Sequence, residues 1–120
     1  MTNKELLTDF YNSDGIRNVD KLNKILHEDV VLVWDSSEGK MILGKKLIIN
    51  LARELILNYA QSVIEITHSI AEDNTVSIRY IHQLAPIENP NELIHIAKFI
   101  VFWEFSGNKL IKGYQMSQTP

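Results

Sequence analysis

The sequence predicts an α+β domain, with helices packed on one face of a curved, mostly antiparallel sheet. Three observations predict it. Apolar residues recur at helical spacing in most of the first half and with period two in the second. Two short polar segments, "EDN" (72–74) and "SGN" (106–108), separate long β-type runs as hairpin turns do. Strands grouped after helices, with no linker, repeat or low-complexity segment between them, imply a single α+β unit over 1–120.

Each element has a local cause. Thr2 and Glu5 fit a capping box, a hydroxyl at the N-cap and a carboxylate three residues on. Leu6, Leu7, Phe10 and Tyr11 then follow at helical spacing, and "NSDG" (12–15) breaks the helix. Asn18 caps a second helix with Val19, Leu22, Ile25 and Leu26 on its inner face. Val30 to Trp34 is apolar and rich in β-branched residues, hence a strand; "DSSEG" (35–39) is its turn, and Met41 to Leu43 a short return. A long helix follows Gly44, over about 45–59, with Ile48, Leu51, Ala52, Leu55, Ile56 and Tyr59 as its apolar stripe.

The second half alternates. Ile64, Ile66, His68 and Ile70 share one face of a strand; Val76, Ile78, Tyr80, His82 and Leu84 share one face of the next. A three-residue "EDN" loop would pair Ile70 with Val76, Ile66 with Tyr80 and Ile64 with His82, so that both apolar faces coincide. After the loop "APIENPNE" (85–92) come strands over Leu93–Phe105 and Lys109–Ser117. "SGN" permits a two- or a three-residue turn. That choice decides whether Gln115, or Tyr114 and Met116, face inward. One long helix cannot fill the concave side of such a sheet, so a ligand-sized cavity is expected between the layers.

Composition narrows the function. The net charge is −3 and no run of Lys or Arg exceeds two residues, which disfavours nucleic acid as a partner. The absence of cysteine excludes disulfides, thiolate metal sites and cysteine nucleophiles. The N-terminus reads as a helix start rather than a signal peptide, and no apolar run approaches a membrane span. A soluble, cytoplasmic protein is expected, with no membrane partner. His68, His82 and His95 lie on predicted strands without metal-ligand spacing or acidic companions, so no metal is expected. Neither a G-x-S-x-G elbow nor a glycine-rich phosphate loop occurs.

The element order, with "FYNSDG" closing the first helix, "ILHEDVVLVWD" joining the second helix to the first strand, and Gly44 opening the third helix, resembles the nuclear transport factor 2-like superfamily, in its SnoaL-like and ketosteroid isomerase-like branch. The resemblance spans essentially the whole chain. It implies a cone-shaped fold, three N-terminal helices packed on a curved sheet, and a hydrophobic small-molecule pocket. It further implies either a cofactor-independent isomerase or cyclase working by proton transfer on a carbonyl compound, or a non-catalytic ligand-binding or dimerisation module. Sheets of this superfamily often pair face to face. The long strand Leu93–Phe105, apolar on both faces, accordingly points to a homodimer.

By position, Tyr11 and Asp35 match the isomerase's hydroxyl donor and general base. Val101 stands where its second acid belongs, and Glu104 has the opposite strand parity. The cyclase acid of the last strand is likewise replaced, by Gln115. Two readings of Asp35 stand. It opens an Asx-type turn with Ser36 and Ser37. Alternatively, with Val31 and Val33, it lines the cavity as a proton-accepting carboxylate. Tyr11 is either core packing or a hydrogen-bond donor to ligand. His82 and His95 are either structural or proton shuttles in place of the missing acid. Phe10, Val33, Tyr80, Phe99, Val101, Trp103 and Gln115 complete the expected pocket.

Overall fold

The computed structural model describes residues 1–120. The elements are α1 (Asn3–Asn12), a 3-10 turn (Gly15–Arg17), α2 (Val19–Ile25), β1 (Leu26–Ser36), β2 (Gly39–Leu43), α3 (Lys45–Asn58), β3 (Tyr59–Glu72), β4 (Thr75–Pro86), β5 (Ile94–Ser106) and β6 (Lys109–Gln118). The six strands form one sheet in the order β2-β1-β6-β5-β4-β3. Every pairing is antiparallel except β1 with β6, which closes the return of the chain to its first strand. The architecture is the expected α+β one, with a mixed sheet.

The helix caps form as their residues dictate. Thr2 accepts from the Glu5 amide at 3.1 Å, and the Glu5 carboxylate accepts in turn from the Thr2 amide at 3.2 Å. The Asn18 side chain accepts from the Lys21 amide at 3.0 Å. Between α1 and α2 the chain reverses through Asp14, at φ 60°, and Gly15, where a Cβ would collide with Phe10. Arg17 fixes this corner. It donates to Asp14 at 3.0 Å and to the Tyr59 carbonyl at 2.8 Å, tying the turn to the start of β3.

Three details differ from the sequence-based expectation. Leu26 caps α2 and starts β1, which carries a bulge between Leu26 and Val31, so the strand is longer than Val30–Trp34. The β1–β2 turn tightens to Ser37 and Glu38, because the Ser36 hydroxyl accepts from the Glu38 amide at 3.2 Å; Asp35 is a strand residue opposite Lys40 and not part of the turn. The β3–β4 loop has two residues. Asp73 rather than Asn74 takes the left-handed conformation, at φ 52°. The two-residue loop sets Ile70 opposite Ser77 and on the surface, and a bulge at Thr67 then restores the pairing of Ile66 with Tyr80 and Ile64 with His82.

The core lies between the helices and the concave side of the sheet. Leu7, Phe10 and Tyr11 from α1, Leu22 and Ile25 from α2, and Ala52 from α3 meet Val76, Ile78 and Tyr80 of β4 and Phe99, Val101, Trp103 and Phe105 of β5. This burial is the main source of stability, at roughly 1.5–3 kcal/mol for each large side chain removed from water. No helix is long and apolar enough to cross a membrane.

Candidate functional site

Helix α1 packs against β3 and β4, whereas α3 lies mainly against β1 and also meets β2 and β3. A cavity of about 490 Å³ remains between them, the size of a small-molecule pocket. Its interior is apolar and aromatic. Phe10, Tyr11, Tyr80, Phe99 and Trp103 line it, as expected, together with Trp34 of β1 and Ile48, Leu51 and Leu55 of α3. The Tyr80 and Phe99 rings stack, with centroids 4.8 Å apart and planes within 6°. Trp34 tilts against Phe99 at 6.1 Å, and Tyr11 against Tyr80 at 5.1 Å.

Few polar groups enter this wall, and most are already engaged. The Trp103 indole Nε1 donates to the Tyr11 hydroxyl at 3.0 Å. The Trp34 Nε1 donates to the Ser117 hydroxyl at 2.8 Å. His82 Nε2 shares a 2.8 Å hydrogen bond with Ser62 Oγ. Gln115 is buried and lines the cavity, between Trp34 on β1 and Val101 on β5. The chain gives its amide no partner comparable to those three. An amide in an apolar wall offers both a donor and an acceptor to a ligand.

The protonation states follow from burial. Desolvation pushes the Tyr11 phenol up to about 12, opposed by hydrogen bonds with Trp103 and Tyr80. Tyr80 rises well above the usual phenol value, from burial and then from its neighbour Tyr11. Desolvation lowers His82 to about 4; Asp14 pulls it up and Arg17 pushes it down, both to a lesser extent. At neutral pH the interior wall is therefore uncharged. It holds two phenols, an imidazole and an amide. The charged residues that line the cavity are Glu38 and Glu54, both exposed, at its mouth with Ser37, Met41 and Asn58.

Four residues expected at the site are not in its wall. Asp35 and Val33 lie on the opposite face of β1, because Leu32, Trp34 and Ser36 point into the cavity and strand neighbours alternate. Asp35 thus does not converge with Tyr11. Val101 faces inward but is fully buried between the strands flanking it and does not reach the cavity surface. His95 is turned away by a bulge: His82 pairs with Ala97 and Gln83 with His95, which leaves Ile96 as the extra residue and puts it in the wall. The "SGN" turn has two residues, with Gly107 at φ 62°, but a bulge at Ile111 shifts the register beyond it, so that Gln115 pairs with Val101 and faces inward while Tyr114 and Met116 face outward.

Sequence reasoning missed Trp34, Ser62 and Ser117. All five residues from Val30 to Trp34 are apolar, so polarity gave no contrast between the two faces of β1. Ser62 could have been found from the expected Ile64–His82 pair, since it lies on the same face two residues from Ile64.

No family model matches the chain, and neither does any curated protein. Solved structures do. A protein of Jannaschia sp. CCS1 assigned as a SnoaL-like polyketide cyclase superposes with a TM-score of 0.73 at 10% identity, over 96% of this chain and 84% of that one. AclR of Streptomyces galilaeus, assigned as a hydroxylase, gives 0.75 at 12% identity, over 98% and 79%. A Catenulispora acidiphila protein with a ketosteroid isomerase-like fold, solved in complex with trimethylamine, gives 0.71 at 14% identity, over 95% and 85%. Identities this low carry the fold and not the activity.

Proposed function

From the nuclear transport factor 2-like fold of this chain, we propose that it binds a small, largely apolar molecule in the cavity between α1, α3 and the sheet. The observation that carries the reading is the aromatic wall of Trp34, Phe99, Tyr80 and Trp103 around about 490 Å³, with the Gln115 amide set into it. An apolar ligand gains roughly 25 cal/mol for each Å² it withdraws from water. The amide then orients it. The absence of a carboxylate deep in the wall favours binding over isomerase or cyclase chemistry.

The test uses the two tryptophans, both of which line the cavity. Planar aromatic ketones and phenols should quench or shift their emission in a saturable, single-site manner. Ala52→Phe, which fills the cavity from α3, should abolish that response. Emission that does not saturate, or that is the same in the filled variant, overturns the reading.

A proton-transfer reading rests on one observation, the His82–Ser62 pair at 2.8 Å. A neutral imidazole whose Nε2 is held by a hydroxyl is a usable base for a carbonyl compound bound beside it. Turnover lost in His82→Gln with ligand affinity retained would favour it.

We further propose that the convex face of the sheet mediates a homodimer. Ile100, Phe102, Tyr114 and Met116 form adjacent cross-strand pairs there, each more than two-fifths exposed, and contiguous apolar patches of this kind mark interfaces.

A further inference from the structure

Resting on the ligand-binding reading, we propose that the ligand is a hydrophobic cation, an apolar body carrying a protonated or quaternary amine, and that the site discriminates against carboxylates. The first ground is the charge census of the wall. No lysine or arginine lines the cavity, and its two charged residues, Glu38 on the β1–β2 turn and Glu54 on α3, are both exposed carboxylates. The histidine inside adds no positive charge, since burial holds His82 neutral. Arg17, the cation that bears on His82, is tied to Asp14 at 3.0 Å and to the Tyr59 carbonyl.

The second ground is the wall itself. Ring faces carry negative quadrupolar charge and attract a cation within about 6 Å of the centroid. The rings of Trp34, Tyr80, Phe99 and Trp103 line the cavity on the sheet side, and Tyr80 and Phe99 stack on one another there. A carboxylate entering the same space would lose its hydration with no cationic partner, and it would pass two like charges at the entrance. An amine loses less, because the mouth carboxylates and the ring faces both compensate it.

The experiment compares three probes that share a naphthylmethyl body: the trimethylammonium, the uncharged tert-butyl isostere, and the carboxylate. Each is titrated calorimetrically into the full chain at low ionic strength, where mouth charges are least screened. The ammonium should bind about threefold to tenfold more tightly than the neutral isostere, and the carboxylate more weakly than either. In Glu38→Gln/Glu54→Gln the ammonium-to-neutral ratio should fall toward one. Glu65→Gln, on the outer face of β3, should leave that ratio as it is.

A carboxylate that binds as well as the ammonium, or a ratio unmoved in the double variant, overturns the charge preference. If the neutral isostere still binds in that case, the pocket reading survives and only the charge inference falls. If none of the three binds, both fall.

Discussion

The indole of Trp103 on β5 donates to the hydroxyl of Tyr11 on α1 at 3.0 Å, inside the core. This bond gives Tyr11 a structural task that its position alone did not reveal. The first helix is fixed to the middle of the sheet through this buried bond, with the Tyr80 hydroxyl as a second partner of Tyr11. Tyr11→Phe keeps the ring and its packing but strands the Trp103 N–H. A buried unsatisfied donor costs about 1–3 kcal/mol. The variant should lower the unfolding free energy by that amount, read as a lower urea midpoint at unchanged m-value, without a change in the far-ultraviolet spectrum. An unshifted midpoint would show that water or another acceptor replaces the hydroxyl.

Trp103 is also held from below. Gly113, its partner on β6, leaves room for the indole: a Cβ there would sit 2.6 Å from one ring carbon of Trp103 and 2.8 Å from Leu32 Cδ1. Neither neighbour is a free side-chain end, since both belong to the packed core. Gly113→Ala should therefore destabilise by about 1–3 kcal/mol through overpacking. It should also change the near-ultraviolet signal of Trp103. A stable protein with an unaltered aromatic spectrum would mean that the strands give way instead.

Much of this was readable in advance. The Thr2–Glu5 capping box, the Asn18 cap, the strand order in the chain and the pairing of Ile66 with Tyr80 follow from local chemistry and period-two alternation. What escaped was decided by bulges and by faces without polarity contrast. A single extra residue at Ile96 turned His95 out of the cavity. Val30 to Trp34 are apolar on both sides, since the cavity covers one and the convex apolar surface continues on the other. The side to which Asp35 belongs was therefore not encoded in the strand itself, and position within a resemblance chose the wrong one.

His82 links stability to pH. Its folded value, about 4, lies below the ordinary 6.5 because the buried imidazole resists charging. Between those values the unfolded chain binds the extra proton and the folded chain does not, so stability falls as pH drops. The loss begins near pH 6.5 and is complete near pH 4. By pH 5 it should amount to about 2 kcal/mol. Urea midpoints at pH 7.5 and 5.0 measure it, with His82→Gln as the comparison. An equal pH slope in that variant would assign the effect to other groups.

Asp35→Asn should be silent in ligand binding. The side chain lies on the face of β1 away from the cavity, between Lys40 on β2 and Met116 on β6. Affinity for an aromatic probe should match the parent protein, whereas Gln115→Leu, which removes both the donor and the acceptor, should weaken binding of a carbonyl-bearing probe roughly tenfold. A large loss in Asp35→Asn would mean that the carboxylate reaches the ligand by a route other than the β1 wall.

The proposed dimer is tested at Phe102. It lies at the centre of the convex patch, paired with Tyr114 on β6 and Ser77 on β4, with half of its surface exposed. Its ring does not touch the cavity, so the two functions separate. Phe102→Lys places a charge in the middle of the apolar contact, where an unpaired ion is poorly tolerated. The parent protein should sediment as a dimer at high micromolar concentration. The variant should sediment as a folded monomer with its probe affinity intact. A parent protein that stays monomeric under those conditions removes the dimer, and the exposed Ile100, Phe102 and Met116 would then need a different partner.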